Sequence, residues 1–407
     1  MNLKIGASAL STSANLDTSH RERPARGGFA LWQLGFRPFY LLASVFAALS
    51  MALWAAQYAG WLGSSYLPGS VWHAHEMLYG FTLAVITGFL FTAVRNWTNR
   101  ATPTGAWLIA IAALWLCGRI LILTPWSWLS AAANAAFPLA VAIGVGIPLA
   151  KAGNRRNYFF IALLVLIAAA ALYVHLTHIL SWRTPAWIGI HVALDVVLLV
   201  ITVMAGRVVP MFTMNAIRGV HSRRCPVIER AAVGVVVIVA ALDAVQLKGA
   251  LLLIALVLAT LIHSVRWWLW APYKTLRTPL VWVLHAAYVW IPVHFALRAL
   301  SELQLVASPI ATHAVTIGAI GGLTLGMMTR TAKGHTGRLL AADAFDTACY
   351  LLILAAALVR VFGPLLLPSF YAATVLISAS AWAAGFALYA ARYWSVLTRA
   401  RVDGRPG

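Results

Sequence analysis

The sequence predicts an all-α fold: a polytopic integral membrane protein of about twelve transmembrane helices with both termini in the cytoplasm. Three observations lead there. Mean hydropathy is +0.84 and only 10% of residues are charged, against about 25% in soluble domains. The apolar residues fall in runs near the roughly 20 residues that cross a bilayer. The basic residues divide unequally between alternate connections, as the positive-inside rule requires of a multi-span protein.

The twelve apolar runs lie at 39–60, 71–94, 106–123, 128–150, 157–179, 185–206, 231–247, 249–265, 280–300, 310–329, 341–361 and 369–391. With this count, 25 of the 30 Lys and Arg residues fall on the side that holds both termini. An error of one span would scramble the asymmetry, so it supports the count as well as the orientation. The 407 residues then leave no room for a large soluble domain. Residues 1–30 read as a disordered cytoplasmic arm without the apolar segment of a signal peptide, 31–395 as the transmembrane domain and 396–407 as a cytoplasmic tail. The +20 net charge does not indicate nucleic-acid binding, because the basic residues sit in short loops between apolar runs. They face membrane lipid instead. Cys117, Cys225 and Cys349 are scattered and support neither a disulfide framework nor a zinc site.

Polar titratable groups inside spans are costly and mark function. Of twelve histidines, seven gather toward the outer ends of spans: His73, His75, His175, His178, His191, His294 and His313. Singly, each reads equally well as an interfacial or hydrogen-bonded histidine. Together, at one depth and from five helices, they point to a metal or haem site, since neutral imidazole is the commonest metal ligand. In His73-Ala-His75 the two rings point roughly 200° apart at 3.6 residues per turn, so the pair serves opposite sides of span 2. Glu76 stands three residues after His73 and Asp195 four after His191. Each is placed to orient a ligating imidazole, with a helix-packing hydrogen bond as the alternative for Asp195. Arg298 and Arg119, near outer ends, either snorkel or pair with a haem propionate. Gly318, Gly322 and Gly326 form a smooth strip on span 10, suited to close helix packing or to a flat macrocycle. Spans 2, 6 and 10 repeat a pattern, with outer histidine and inner arginine.

Four blocks carry a resemblance: 34-LGFRPFYLLA-43, 72-WHAHEMLYGF-81, 88-GFLFTAVRNWT-98 and 313-HAVTIGAIGGLTLGMMTRTAKGHTGR-338. In order and in rare residues they closely resemble the NnrS family, over about residues 28–392. The resemblance implies a twelve-span protein of the bacterial inner membrane that contains haem b and copper and responds to nitric oxide stress in denitrification. His73, His75, Glu76, His313, Arg330, His335 and Arg338 stand in its motifs. The layout is also similar to that of haem-copper oxidases, except that His-x-His lies on span 2 and span 7 has Asp243 and Gln246 where those enzymes place copper histidines. That departure speaks against assuming turnover of nitric oxide.

The expectation is therefore that His73 or His75, with His313, contacts haem iron, and that His191 and His294 belong to the same outer cluster. Nitric oxide is the expected ligand. No CxxCH or soluble redox domain is present, so electrons would come from quinol or another membrane donor. The basic turn 330–338 reads as a lipid contact or as a docking site for a cytoplasmic anion or partner. A proton-coupled transporter and a metal-holding assembly factor without catalysis are the alternative readings.

Overall fold

The computed structural model describes residues 28–63 and 66–404. The arm expected over 1–30 therefore lies outside the described residues except for its last three. Among the described residues the chain folds into twelve helical rods joined by short turns. These are α1 (Phe36–Tyr58), α2 (Gly69–Thr98), α3 (Gly105–Leu121), α4 (Ser127–Lys151), α5 (Phe159–Ile179), α6 (Trp187–Ala216), α7 (Pro226–Ala244), α8 (Ala250–Leu269), α9 (Pro279–Glu302), α10 (Ser308–His335), α11 (Ala344–Leu366) and α12 (Tyr371–Thr398). No strand accompanies them among these residues, only the bridge Phe29–Arg399. Each apolar run read from the sequence coincides with one rod. Ten rods are long and apolar enough to cross a membrane. Of the other two, α3 has 17 residues, and α7 carries Glu229, Arg230 and Asp243.

Several helices outrun their apolar stretches. The run 185–206 becomes a helix ending at Ala216, and 369–391 one ending at Thr398. Bilayer thickness limits the apolar run, but the backbone ladder continues wherever nothing breaks it. In α9 a proline breaks it. α9 is interrupted at Val289, because Pro292 lacks an N–H and its ring opposes the Tyr288 carbonyl one turn back. α11 begins at a capping box, with Asp343 accepting from the Asp346 amide (2.9 Å) and Asp346 from the Asp343 amide (3.0 Å).

Neighbouring rods pack in chain order, and α12 closes the ring against α1. α2 and α10 are the most enclosed, with 89% and 78% of their apolar stretches buried, against 33% for α8. α9 and α6 follow at 72% and 67%. The three rods that share the histidine pattern are thus interior rods. The ends of the bundle are tied together. Ala30 N–H donates to the Thr398 carbonyl (2.7 Å), and Arg37 Nη1 donates to the carbonyls of Leu397 (3.0 Å) and Arg399 (2.7 Å). That arginine satisfies carbonyls left open where α12 ends. The start of α1 and the end of α12 therefore share one face, here the termini face.

Two features were absent from the sequence reading. α2 winds as a π-helix over Glu76–Thr82, and α10 does so over Ala314–Gly321. Each wide turn begins immediately after a histidine, His75 or His313. π-turns recur at functional sites.

The glycine strip of α10 resolves in favour of helix packing. A Cβ on Gly318 would overlap the Trp290 ring, one on Gly322 would meet Ala287 at 2.6 Å, and one on Gly326 would meet Val283 and Leu284 at 2.9 Å. The strip is filled by α9, so the macrocycle reading of it is set aside. Replacing Gly322 by Leu is expected to destabilise the bundle by about 1–3 kcal/mol through overpacking. Thermal unfolding in detergent checks this, and an unchanged midpoint would mean that α9 yields freely.

Candidate functional site

The histidine of α2 that faces the interior is His75. It is fully buried, and its Nδ1 lies 2.8 Å from Glu76 Oε1. Glu76, 1% exposed, also receives Arg119 Nη1 from α3, and Arg119 Nη2 donates to Asn134 of α4. Asn134 Nδ2 in turn donates to the Ser130 carbonyl at 2.9 Å. A buried carboxylate is tolerable only when paired and hydrogen-bonded, and here an arginine and an imidazole meet both needs. Gly80 makes the approach possible, since a Cβ there would lie 2.9 Å from Arg119 Nη1 and strike Phe46.

Glu76 thus serves His75 and not His73, the residue it was expected to orient. Glu76 keeps α-helical spacing from His73, its amide bonded to the Trp72 carbonyl, but its carboxylate turns to the adjacent His75 ring and to Arg119.

With its Nδ1 proton held by the carboxylate, His75 presents an unprotonated Nε2. That atom is buried and has no hydrogen-bond partner. Edge-on to it stands His175 of α5, with ring centroids 4.9 Å apart and planes at 76°. His175 Nδ1 hydrogen-bonds the Tyr66 hydroxyl, and its Nε2 is likewise buried and unpartnered. His175 was read as one of the outer histidines but not as a ligand. Only the tertiary contact between α2 and α5 singles it out.

His73 points elsewhere, as the two-residue spacing requires. Its ring stacks on Trp54 of α1 (4.7 Å, 21°), and its Nδ1 is buried without a partner. His313 of α10 lies within electrostatic reach of His73, and Arg360 of α11 acts on both. His313 Nδ1 donates to the Pro309 carbonyl at 2.6 Å. Arg360, 8% exposed, donates to the Tyr371 hydroxyl (3.3 Å), leaves Nη1 unpartnered and joins no ion pair among the described residues. By contrast, Arg119 and Arg298, the arginines first considered for propionate contacts, already hold carboxylates.

His191, Asp195, His294 and Arg298 form a third group. They line a polar pocket of about 410 Å³ between α6, α7, α8 and α9. Arg298 grips Asp243 with two parallel bonds (2.8 and 2.7 Å). His294 Nδ1 donates across helices to the Ala311 carbonyl (2.7 Å). His191 is exposed and Asp195 half-buried, and the two do not hydrogen-bond each other. The outer histidines are thus distributed over three places. Among the described residues, no three His, Cys, Asp or Glu side chains form a ready-made metal cage.

The donor chemistry nevertheless fits metal at the pairs. Ligating histidines give their second ring nitrogen to a carboxylate or carbonyl, and His75, His294 and His313 all do so. For His313 the partner is four residues back, an arrangement His178 also adopts with Val174 (3.1 Å), so it is less specific than the carboxylate on His75. Buried imidazole nitrogens without partners are costly, and such sites suit copper, iron or zinc.

A family model described as NnrS protein matches residues 30–401, nearly the whole chain. The chain belongs to the NnrS family. NnrS membership suggests a membrane protein of the nitric oxide response, and the family is known in general terms for haem and copper binding. No protein of curated function matches the chain.

The NnrS blocks meet in space. Gly35 of the first packs on Phe91 of the third, and Gly88 on Tyr40 and Phe36. Arg330 and His335 lie far along α10 from His313, and Arg338 just beyond its end, at the termini face. Arg330 covers the Phe212 ring at 3.7 Å, and His335 lies against Phe36.

Removing Arg119 alone, as in Arg119→Leu, leaves the Glu76 carboxylate buried against a neutral imidazole. The expected loss is about 3–5 kcal/mol of stability, read as a lower unfolding midpoint. Changing both partners, Arg119→Leu with Glu76→Gln, is expected to recover much of it. Equal midpoints for the single variant and the parent would mean that the pair contributes nothing.

Proposed function

We propose that this NnrS protein is a haem- and copper-binding protein of the bacterial inner membrane, with all twelve rods spanning and both termini cytoplasmic. The charge asymmetry of the connections supports that orientation. In this reading the histidine face is periplasmic, nitric oxide is the ligand, and the protein serves nitrosative stress and denitrification.

The reading rests on one observation. The His75 and His175 rings meet edge to face, each with a buried Nε2 that has no hydrogen-bond partner, while Glu76, Arg119 and Asn134 hold the nearer ring from behind. Rings in edge contact leave no space for a macrocycle between them, so this pair is assigned to copper. His73 and His313, beside the unpaired Arg360, are assigned to haem b, with Arg360 toward a propionate. When bound, these groups would supply reversible one-electron chemistry and affinity for a diatomic ligand. The protein's own part is to hold neutral imidazoles in fixed orientation, to exclude water through the enclosed α2 and α10, and to keep the Glu76 charge neutralised. His191 and His294 face their own pocket and are assigned to ligand entry or to a further metal.

Ligand variants test the division. His75→Ala and His175→Ala are each expected to abolish copper while haem holds, and His313→Ala to lower haem while copper holds, all with unchanged membrane insertion. Glu76→Gln should weaken copper affinity about 10–100-fold. Metal analysis with absorbance on each purified variant reads all four. Joint loss of both cofactors in every variant would contradict two separate sites.

One observation favours a second reading. The pocket of His191, Asp195 and Arg298 joins titratable groups of three helices, α6, α7 and α9, as a proton-coupled transporter requires. A protein without haem or copper that moves protons with a solute would establish that reading instead.

A further inference from the structure

At the termini face, away from every group used above, Arg37 is fully buried in the first turn of α1. Nη1 is engaged with the Leu397 and Arg399 carbonyls. Nε and Nη2 are buried with no hydrogen-bond partner, and Arg37 joins no ion pair among the described residues. This differs from the other most deeply buried arginine, Arg266, which has Glu229 at 2.5 Å. A buried charge without a counter-charge is unfavourable, so a guanidinium kept in that state calls for an anion.

The surroundings add charge of the same sign. Arg338 and Arg401 are the arginines that act on Arg37, and His335 sits among Arg37, Arg95 and Arg401. Arg338 also has a buried Nη1 with no partner. The His335 ring leans on Phe36, the residue before Arg37, at 5.6 Å between centroids. Arg401 reaches the His335 carbonyl (3.0 Å) and is paired with Asp403 (2.6 Å). Four arginines thus gather around one described ion pair. Gly337, at φ +74°, turns the chain so that Arg338 comes back over this group.

We infer that Arg37 and Arg338, backed by Arg401 and His335, bind an oxyanion of the phosphate class at the termini face. Guanidinium forks match tetrahedral oxyanions with paired, charge-assisted hydrogen bonds. The site bridges the start of α1, the end of α10 and the segment after α12, so its occupant would lock together the two ends of the chain. The phosphate group belongs either to an anionic lipid or to a free cytosolic anion.

The test uses the full chain, stripped of lipid in neutral detergent or placed in nanodiscs of phosphatidylcholine with or without phosphatidylglycerol. Thermal unfolding is followed as inorganic phosphate or the phosphatidylglycerol fraction rises, at constant ionic strength. Stabilisation by inorganic phosphate in lipid-free micelles identifies a free oxyanion, and stabilisation by phosphatidylglycerol alone identifies a headgroup. In either case Arg338→Gln, whose guanidinium makes no hydrogen bond within the described protein, should need about tenfold more ligand for half the effect, as expected for one charge-assisted hydrogen bond. Arg230→Gln alters an exposed basic residue of α7, whose Nε donates to the Pro226 carbonyl (3.2 Å), and should respond like the parent. No stabilisation by either probe, or equal loss in both variants, would overturn the site.

Discussion

A single buried carboxylate organises one end of this bundle. Glu76 is enclosed by α2, α3 and α4, where an unpaired charge would be costly. Arg119 supplies the counter-charge, Asn134 fixes Arg119, and His75 takes the remaining contact. Much follows from that arrangement. Gly80 must lack a side chain to admit the guanidinium, and Trp115 Nε1 closes on the Gly80 carbonyl at 3.0 Å. His75 is then presented to His175 in one tautomer, with a nitrogen available for a metal. Without the carboxylate, nothing would fix which ring nitrogen faces α5.

The interior position of α2, α6, α9 and α10 explains how one bundle can keep three sets of histidines apart. A helix enclosed on all sides can offer different neighbours on different faces. α2 does so within a single turn: His75 toward α5 and His73 toward α1 and α11. Both π-turns begin at such a histidine, and both lie in the two most enclosed rods. A wide turn shifts the phase of everything after it. In α10 it lets the smooth face of Gly318 and Gly322 meet Trp290 and Ala287 below His313.

Much of this was legible in the sequence. Apolar runs and the basic asymmetry gave the rods and their order, because lipid imposes one length and one composition on any spanning helix. The opposed directions of His73 and His75 followed from helix geometry alone. What escaped had physical causes. The π-turns leave no mark in hydropathy, and helical spacing alone paired Glu76 with His73, whereas its carboxylate turns to the adjacent His75 and to Arg119. His175 stood undistinguished among the seven outer histidines and Arg360 looked like an ordinary residue near a helix end, since their significance lies in which helix they meet. Arg298 and Arg119 looked free for a propionate, yet each has a carboxylate partner distant in sequence, Asp243 or Glu76. The twin bonds of Arg298 to Asp243 also give span 7 a structural reason for the acid found where oxidases carry copper histidines.

The most direct measurement is a reduced-minus-oxidised absorbance spectrum of the purified parent protein, with iron and copper counted on the same sample. The buried imidazole pairs predict a b-type haem spectrum together with bound copper. A protein produced with haem and copper supplied that carries neither would contradict them, and His75, His175, His73 and His313 would then form hydrogen-bond or proton networks and not cofactor sites.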